Sequence, residues 1–212
     1  MFPPAVKNLL IINVIVFIAQ NTPGIGEYLH AFFALYPIQS GIGIIPDQPY
    51  SFYPWQIISY MFMHGGIGHI FFNLFALWIF GSAIEYTIGT KRFTQYYFLT
   101  GVGAAVLHML VNIGADPILT QQGLYYIPTV GASGAVFGIL IAFGMMFPNR
   151  EIYMLLIPVP IKAKYFVIMY GVFELFMGVS SLQTGIAHFA HLGGMLFGYI
   201  LIKYWKLPTN LD

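Results

Sequence analysis

Ser133 stands in Gly131-Ala132-Ser133-Gly134-Ala135-Val136-Phe137-Gly138, at the mouth of a strongly apolar stretch. Further along, His191 sits in Ala190-His191-Leu192-Gly193-Gly194, inside a second apolar stretch. A reactive hydroxyl and an imidazole at such positions cost free energy unless they face a polar cavity or each other. The pair points to a serine nucleophile and its general base. Alone, Gly-x-Ser-Gly reads equally as an N-cap serine flanked by packing glycines. The helix is expected to begin at or just before Ser133, which leaves its first N–H groups without intrahelical partners. Those donors and the positive end of the helix dipole suit a developing oxyanion.

His69 and Asn73 are four residues apart and share one helix face. On spacing alone they read as polar glue between helices; beside a reactive serine they read as an oxyanion hole completed by the Ser133 N–H. His188 and His191 are three apart on another helix, where Gly194-Met195-Leu196-Phe197-Gly198 forms a small-xxx-small groove matched by Gly134 to Gly138. Docking those grooves brings His191 to Ser133. No Asp or Glu adjoins these residues in sequence, so a Ser–His dyad is expected; Glu174, in another apolar segment, reads equally as a partner for a neighbouring helix. The spacings of His64, His69, His108, His188 and His191 give no His-Glu-x-x-His and no adjoining acidic ligand, so neither a metal nor another cofactor is expected. His108 reads as a hydrogen-bonded core histidine.

The elements that must hold these groups are apolar. Of 212 residues, 58% are hydrophobic and 7% charged, where soluble domains carry roughly 25% charged residues. Mean hydropathy is +0.78. This composition implies a polytopic, all-α membrane protein folded as one domain over residues 1–212. A net charge of +1 is too balanced to imply nucleic acid or another acidic partner, and the absence of Cys excludes disulfides, thiolate metal sites and a cysteine nucleophile. Six spans are expected near Asn8–Gln20, Ile67–Tyr86, Phe93–Ile113, Ala132–Phe147, Lys164–Val179 and Gly185–Tyr204. The first is read as a retained span and not a cleaved signal. All eight basic residues (Lys7, Lys91, Arg92, Arg150, Lys162, Lys164, Lys203 and Lys206) fall at the termini or in alternate loops, and the other three loops have none. That places both termini in the cytoplasm. The loop from Asn21 to Gln56 carries many aromatics and is expected to lie in the outer interface.

With these residues in place, the chain resembles the rhomboid intramembrane serine proteases along essentially its whole length. The resemblance rests on His64 with His69-x-x-x-Asn73, on Gly131-Ala132-Ser133-Gly134, and on Ala190-His191-x-x-Gly194, in the family's order. It implies Ser133 as nucleophile, His191 as base, and His69 and Asn73 as holders of the oxyanion, with His64 as the additional histidine near the site. Glu85 matches a structural acidic residue at the cytoplasmic end of the second span. Two positions depart from the family pattern. Trp55-Gln56 replaces Trp-Arg in the first loop, which puts its polar network in question, and Phe137 replaces a frequent Tyr, keeping a ring to stack on His191 but losing a hydroxyl. His188 either acts on His191 or packs.

The resemblance implies cleavage of single-span transmembrane proteins in or beside their membrane helix, in contact with membrane lipid, with lateral entry past the fifth span. The site is expected to open to the outer face, in a bacterial plasma membrane. An inactive rhomboid-like protein that binds membrane clients ranks second, and a small transporter or channel third, since repeats are absent and intramembrane acids scarce.

Overall fold

The computed structural model describes residues 2–40, 50–113, 118–120, 123–125, 127–154, 157–180 and 187–212. Helix α1 (Pro4–Gln20) starts on proline, whose fixed φ suits a first turn and whose missing N–H costs nothing there. The next donors, the N–H groups of Ala5 and Val6, reach the Glu85 carboxylate at 2.9 and 2.8 Å, and Thr90 Oγ1 donates to it at 2.7 Å. Glu85 is buried, so this one acid caps α1 and ties it to the end of the next long helix.

Within the long first loop lie α2 (Gly26–Phe33) and α3 (Gln56–Ser59), the latter running into a 3₁₀ turn at Tyr60–Phe62. Residues 41–49 of that loop fall outside the described part. The Trp55-Gln56 departure leaves a polar network intact. Buried Gln56 accepts from the Tyr36 N–H at 3.2 Å and donates to the Ser51 carbonyl at 3.1 Å, while Trp55 Nε1 donates to the Phe32 carbonyl at 2.7 Å.

Helix α4 (Ile67–Ala76) passes through a π turn (Leu77–Gly81) into α5 (Ser82–Ile88). The rod stops at Gly89, whose φ of +80° favours glycine. Helices α6 (Thr90–Val111), α7 (Ser133–Met146), α8 (Ala163–Val179) and α9 (His188–Tyr204) complete the bundle. Helices thus stand at all six expected segments, with the last seen from His188; its expected start at Gly185 lies outside the described residues. Among the described residues, Ile67–Ile88 alone is both long and apolar enough to cross a bilayer unaided. The reasons differ for the others: α1, α7, α8 and α9 have 17 residues or fewer, and α6 dilutes its apolar residues with Thr, Lys, Arg and Gln.

The fold is not purely helical. Strands β1 (Ile118–Thr120) and β2 (Gly123–Tyr125) pair antiparallel within what the sequence suggests is a polar loop from Gly114, of which residues 114–117, 121–122 and 126 fall outside the description. Strands β3 (Glu151–Met154) and β4 (Ile157–Lys162) form a second hairpin that sets Glu151 opposite Lys162. Both stretches are rich in β-branched and aromatic residues, which suit a pleated backbone better than a helix.

Helix α7 sits at the centre. Gly134 to Leu140, Ala142, Phe143, Gly144 and Met146 are all buried, the signature of a helix apolar on every side. By contrast α1 exposes Ile11, Ile15 and Ile18, and α8 exposes Ile168, Val172, Phe173 and Phe176. Apolar faces on the outside around an interior of small residues, Tyr hydroxyls and histidines are the layout of a protein whose solvent is lipid.

Candidate active site

The segment before α7 is pinned on two sides. Thr129 and Leu35 exchange backbone hydrogen bonds at 2.9 and 2.8 Å, and the Gly131 N–H donates to the Tyr60 carbonyl at 2.9 Å. Gly131 then adopts φ +131°, and a Cβ there would stand 2.8 Å from both Cε1 and Nε2 of His69. Glycine is required twice over, for the backbone angle and for the ring above it. Ala132 is the N-cap, its carbonyl accepting from the Val136 N–H at 3.0 Å. The N–H groups of Ser133, Gly134 and Ala135 therefore stand at the positive end of the helix without intrahelical acceptors.

The two glycine grooves meet. A Cβ on Gly194 would overlap the Gly134 carbonyl oxygen and lie 2.8 Å from its carbon; one on Gly134 would meet Ala104 Cβ at 2.5 Å. Gly138 is filled by Thr100, and the Tyr96 hydroxyl donates to the Gly138 carbonyl at 2.7 Å. This backbone-to-backbone approach puts His191 Nε2 2.8 Å from Ser133 Oγ. With the hydroxyl donating, Nε2 accepts and Nδ1 carries the ring proton. Phe137, one turn beyond Ser133, stacks on the imidazole at 4.2 Å between centroids and 6° between planes, and is itself backed by Tyr170 of α8 at 5.7 Å. His191 is buried and Ser133 half-buried.

His69 lies across Gly131. Its Nδ1 accepts from the Gly65 N–H at 3.2 Å, so the neutral ring carries its proton on Nε2, one of the two ring atoms over Gly131. Asn73 is buried and its amide donates to the His69 carbonyl at 2.9 Å, which leaves its second N–H for another acceptor. His64 is clamped through its backbone by the Gln20 side chain, its N–H donating to Gln20 Oε1 at 3.0 Å and its carbonyl accepting from Gln20 Nε2. The His64 ring meets that of His69 edge-on at 5.1 Å, and both its nitrogens are buried without a partner among the described residues. Burial, and then the neighbouring His69, pull its pKa down to about 4. His108 pairs through Nε2 with Thr129 Oγ1 at 2.8 Å, bracing the segment that leads to Ser133.

Glu174 of α8 does adjoin the histidines of α9: its Oε2 lies 2.6 Å from His188 Nδ1 and 3.0 Å from His191 Nδ1, and all three side chains are buried. The acid is forty-one residues from Ser133 in sequence but joined to it through one ring in space. Its sequence signal was its isolation, since a lone acid in an apolar segment needs a partner. Spacing along one helix could not name that partner. His188 is correspondingly an ionic neighbour of Glu174 and not mere packing.

These features define a helical bundle that holds a serine and an imidazole in hydrogen-bond contact, next to donors suited to an anion. The sequence pattern described as the rhomboid domain matches residues 51–206, and the chain belongs to the rhomboid family of integral membrane proteins. It is 27% identical over 192 residues to the mitochondrial rhomboid protein 1 of Saccharomyces cerevisiae, covering 91% of this chain and 50% of that protein. To the rhomboid protease AarA of Providencia stuartii it is 27% identical over 164 residues, 74% of this chain and 58% of the relative. To the chloroplastic rhomboid-like protein 11 of Arabidopsis thaliana it is 32% identical over 161 residues, 72% and 52% respectively. The chain spans about half the length of the curated relatives it matches. Kinship with bacterial members named as proteases supports intramembrane proteolysis at the level of the family.

Proposed function

We propose that this protein is an intramembrane serine endopeptidase that cleaves single-span membrane proteins in or beside their membrane helix. The observation that carries this reading is the 2.8 Å contact between Ser133 Oγ and His191 Nε2 under the Phe137 ring. His191 takes the serine proton as Oγ attacks the scissile carbonyl. The oxyanion is held by the Ser133 N–H, by His69 Nε2–H and by the second N–H of Asn73. His191 then gives its proton to the leaving amine, and water, activated by the same ring, releases the acyl-enzyme.

Six spans with cytoplasmic termini fit the placement of this site. Ser133, His69 and His191 all lie in the first turns of their helices, which start from the three connections that contain no Lys or Arg. Helix α7 rises only about 21 Å against a hydrocarbon core of about 30 Å. With its far end at the cytoplasmic boundary, Ser133 stands below the outer surface, where water can enter from above. A substrate helix must unwind to offer its peptide bond, which favours small residues near the cut.

The test is cleavage of a single-span reporter in liposomes by the wild type, Ser133→Ala and His191→Ala, with phosphonate labelling of Ser133. Cleavage by the wild type alone is expected. Equal cleavage by all three would assign the activity to a contaminant. No cleavage and no labelling by the wild type would favour a client-binding role without catalysis.

A further inference from the structure

We infer that Glu174 is a positioning residue, the third member of a Ser133–His191–Glu174 triad, and that α8 therefore takes part in catalysis; this deepens the serine protease reading and rests on it. In the described residues, the group that faces the buried Nδ1 of His191 is Glu174 Oε2, 3.0 Å away, although the alignment falls short of a hydrogen bond. Nε2 is taken by Ser133, so only a proton on Nδ1 leaves Nε2 free to accept. A carboxylate at Nδ1 selects that tautomer and stabilises the imidazolium that forms during attack. The carboxylate is buried, and a buried anion without donors is costly. His188 Nδ1 supplies a second donor to the same oxygen at 2.6 Å, which compensates the buried charge and holds the carboxylate in place.

The proton count closes without a co-reactant. As Ser133 Oγ bonds to the carbonyl carbon, the carbonyl π pair moves onto oxygen and the hydroxyl proton goes to His191 Nε2. That proton then leaves with the amine as the C–N bond breaks. The Nδ1 proton stays between His191 and Glu174 throughout, and Glu174 is never protonated. Ser133, His191 and Glu174 come from α7, α9 and α8 respectively, so an α8 displaced from α9 takes the acid with it.

The discriminating variant is Glu174→Gln, compared with the wild type by reporter cleavage in liposomes and by thermal unfolding. Gln keeps the size of the side chain, so losing a purely structural acid shows as a lower Tm with the kcat of the folded protein intact. A positioning acid is lost, because the amide N–H₂ can face Nδ1 and invert the tautomer. We expect kcat to fall about 100-fold with KM within twofold, less than the roughly 10⁴-fold of an asparagine in the serine protease triad because the Phe137 stack still holds the ring. The wild type is further expected to show a strongly low-field proton resonance assigned to His191 Nδ1. Full kcat in Glu174→Gln overturns the inference while wild-type cleavage leaves the protease reading standing. An inactive wild type removes both. Should Glu174→Gln not fold, the wild-type spectrum decides alone, and absence of the low-field proton overturns the inference.

Discussion

Replacing Gly194 by alanine tests whether the site depends on backbone contact between α7 and α9. The new methyl would lie 2.8 Å from the Gly134 carbonyl carbon and overlap its oxygen, where an ordinary contact sits near about 3.5 Å. Neither atom belongs to a flexible side chain that could swing away. The helices must part by about 1 Å or more at this level. Gly194 is one turn from His191 and Gly134 adjoins Ser133, so most of the gap appears at the 2.8 Å Oγ–Nε2 contact. A hydrogen bond stretched beyond about 3.5 Å is lost, and a 1 Å displacement of a reacting group costs about 10²-fold in rate. Overpacking adds about 1–3 kcal/mol of destabilisation, or roughly 2–12 °C in Tm for a chain of this size. The assay is the rate of phosphonate labelling at Ser133 in detergent, with thermal unfolding of the same sample. Gly68→Ala is the matched control, because a Cβ there meets nothing within 4 Å. A Gly194→Ala protein that labels within twofold of wild type and unfolds within 1 °C of it, on the order of the measurement's own spread, would refute the close-approach argument.

Three further outcomes follow from the same geometry. Glu85→Gln removes the charge that accepts two backbone N–H groups and a hydroxyl, and thermal unfolding should show a loss of about 2–3 kcal/mol, with labelling of the residual folded protein unchanged. His64 has a folded pKa of about 4 against an ordinary 6.5, so the unfolded chain alone binds a proton between those values. Stability should fall as pH drops from 6.5 to about 4 and level off below, by at most about 3 kcal/mol; His64→Phe should flatten that slope in a series of melts against pH, and an unchanged slope would rule out the buried neutral ring as its source. Gln56→Ala leaves the Tyr36 N–H and the Ser51 carbonyl without this amide partner, and about 1–3 kcal/mol of local stability should be lost, read as faster limited proteolysis between α2 and α3 with no change at the bundle.

The six helical segments were legible because apolar length is a property of consecutive residues, and the two glycine grooves because small residues recur every four positions on one face. The hairpins were missed for a related reason. Glu151 to Lys162 reads as a loop between spans because charged ends and two prolines interrupt its apolar run, while its pairing depends on residues such as Ile152 and Ile161 meeting across a turn. The short helix α2 was likewise hidden in an aromatic-rich loop, since eight residues give a periodic pattern little room to declare itself. Ser133, His191, His69 and Asn73 were each chosen from local context. The structure joins the first two directly, sets His69 over Gly131, and turns one Asn73 N–H back to its own helix.

Two acids in apolar segments show where sequence reasoning stops. Glu85 lies near a helix end, and its partners are the N–H groups at the start of α1 and the hydroxyl of Thr90, donors that many sequences would supply. Its structural role is what the family resemblance implies. Glu174 sits mid-helix, where every nearby backbone group is already bonded, so its partners had to be side chains of another helix. Which helix is decided by the Gly134–Gly194 contact, because that approach turns His188 and His191 toward α8 while His191 also reaches Ser133. The same small residues thus set both the serine–imidazole distance and the carboxylate behind it, and a change in their packing alters both ends of the imidazole at once.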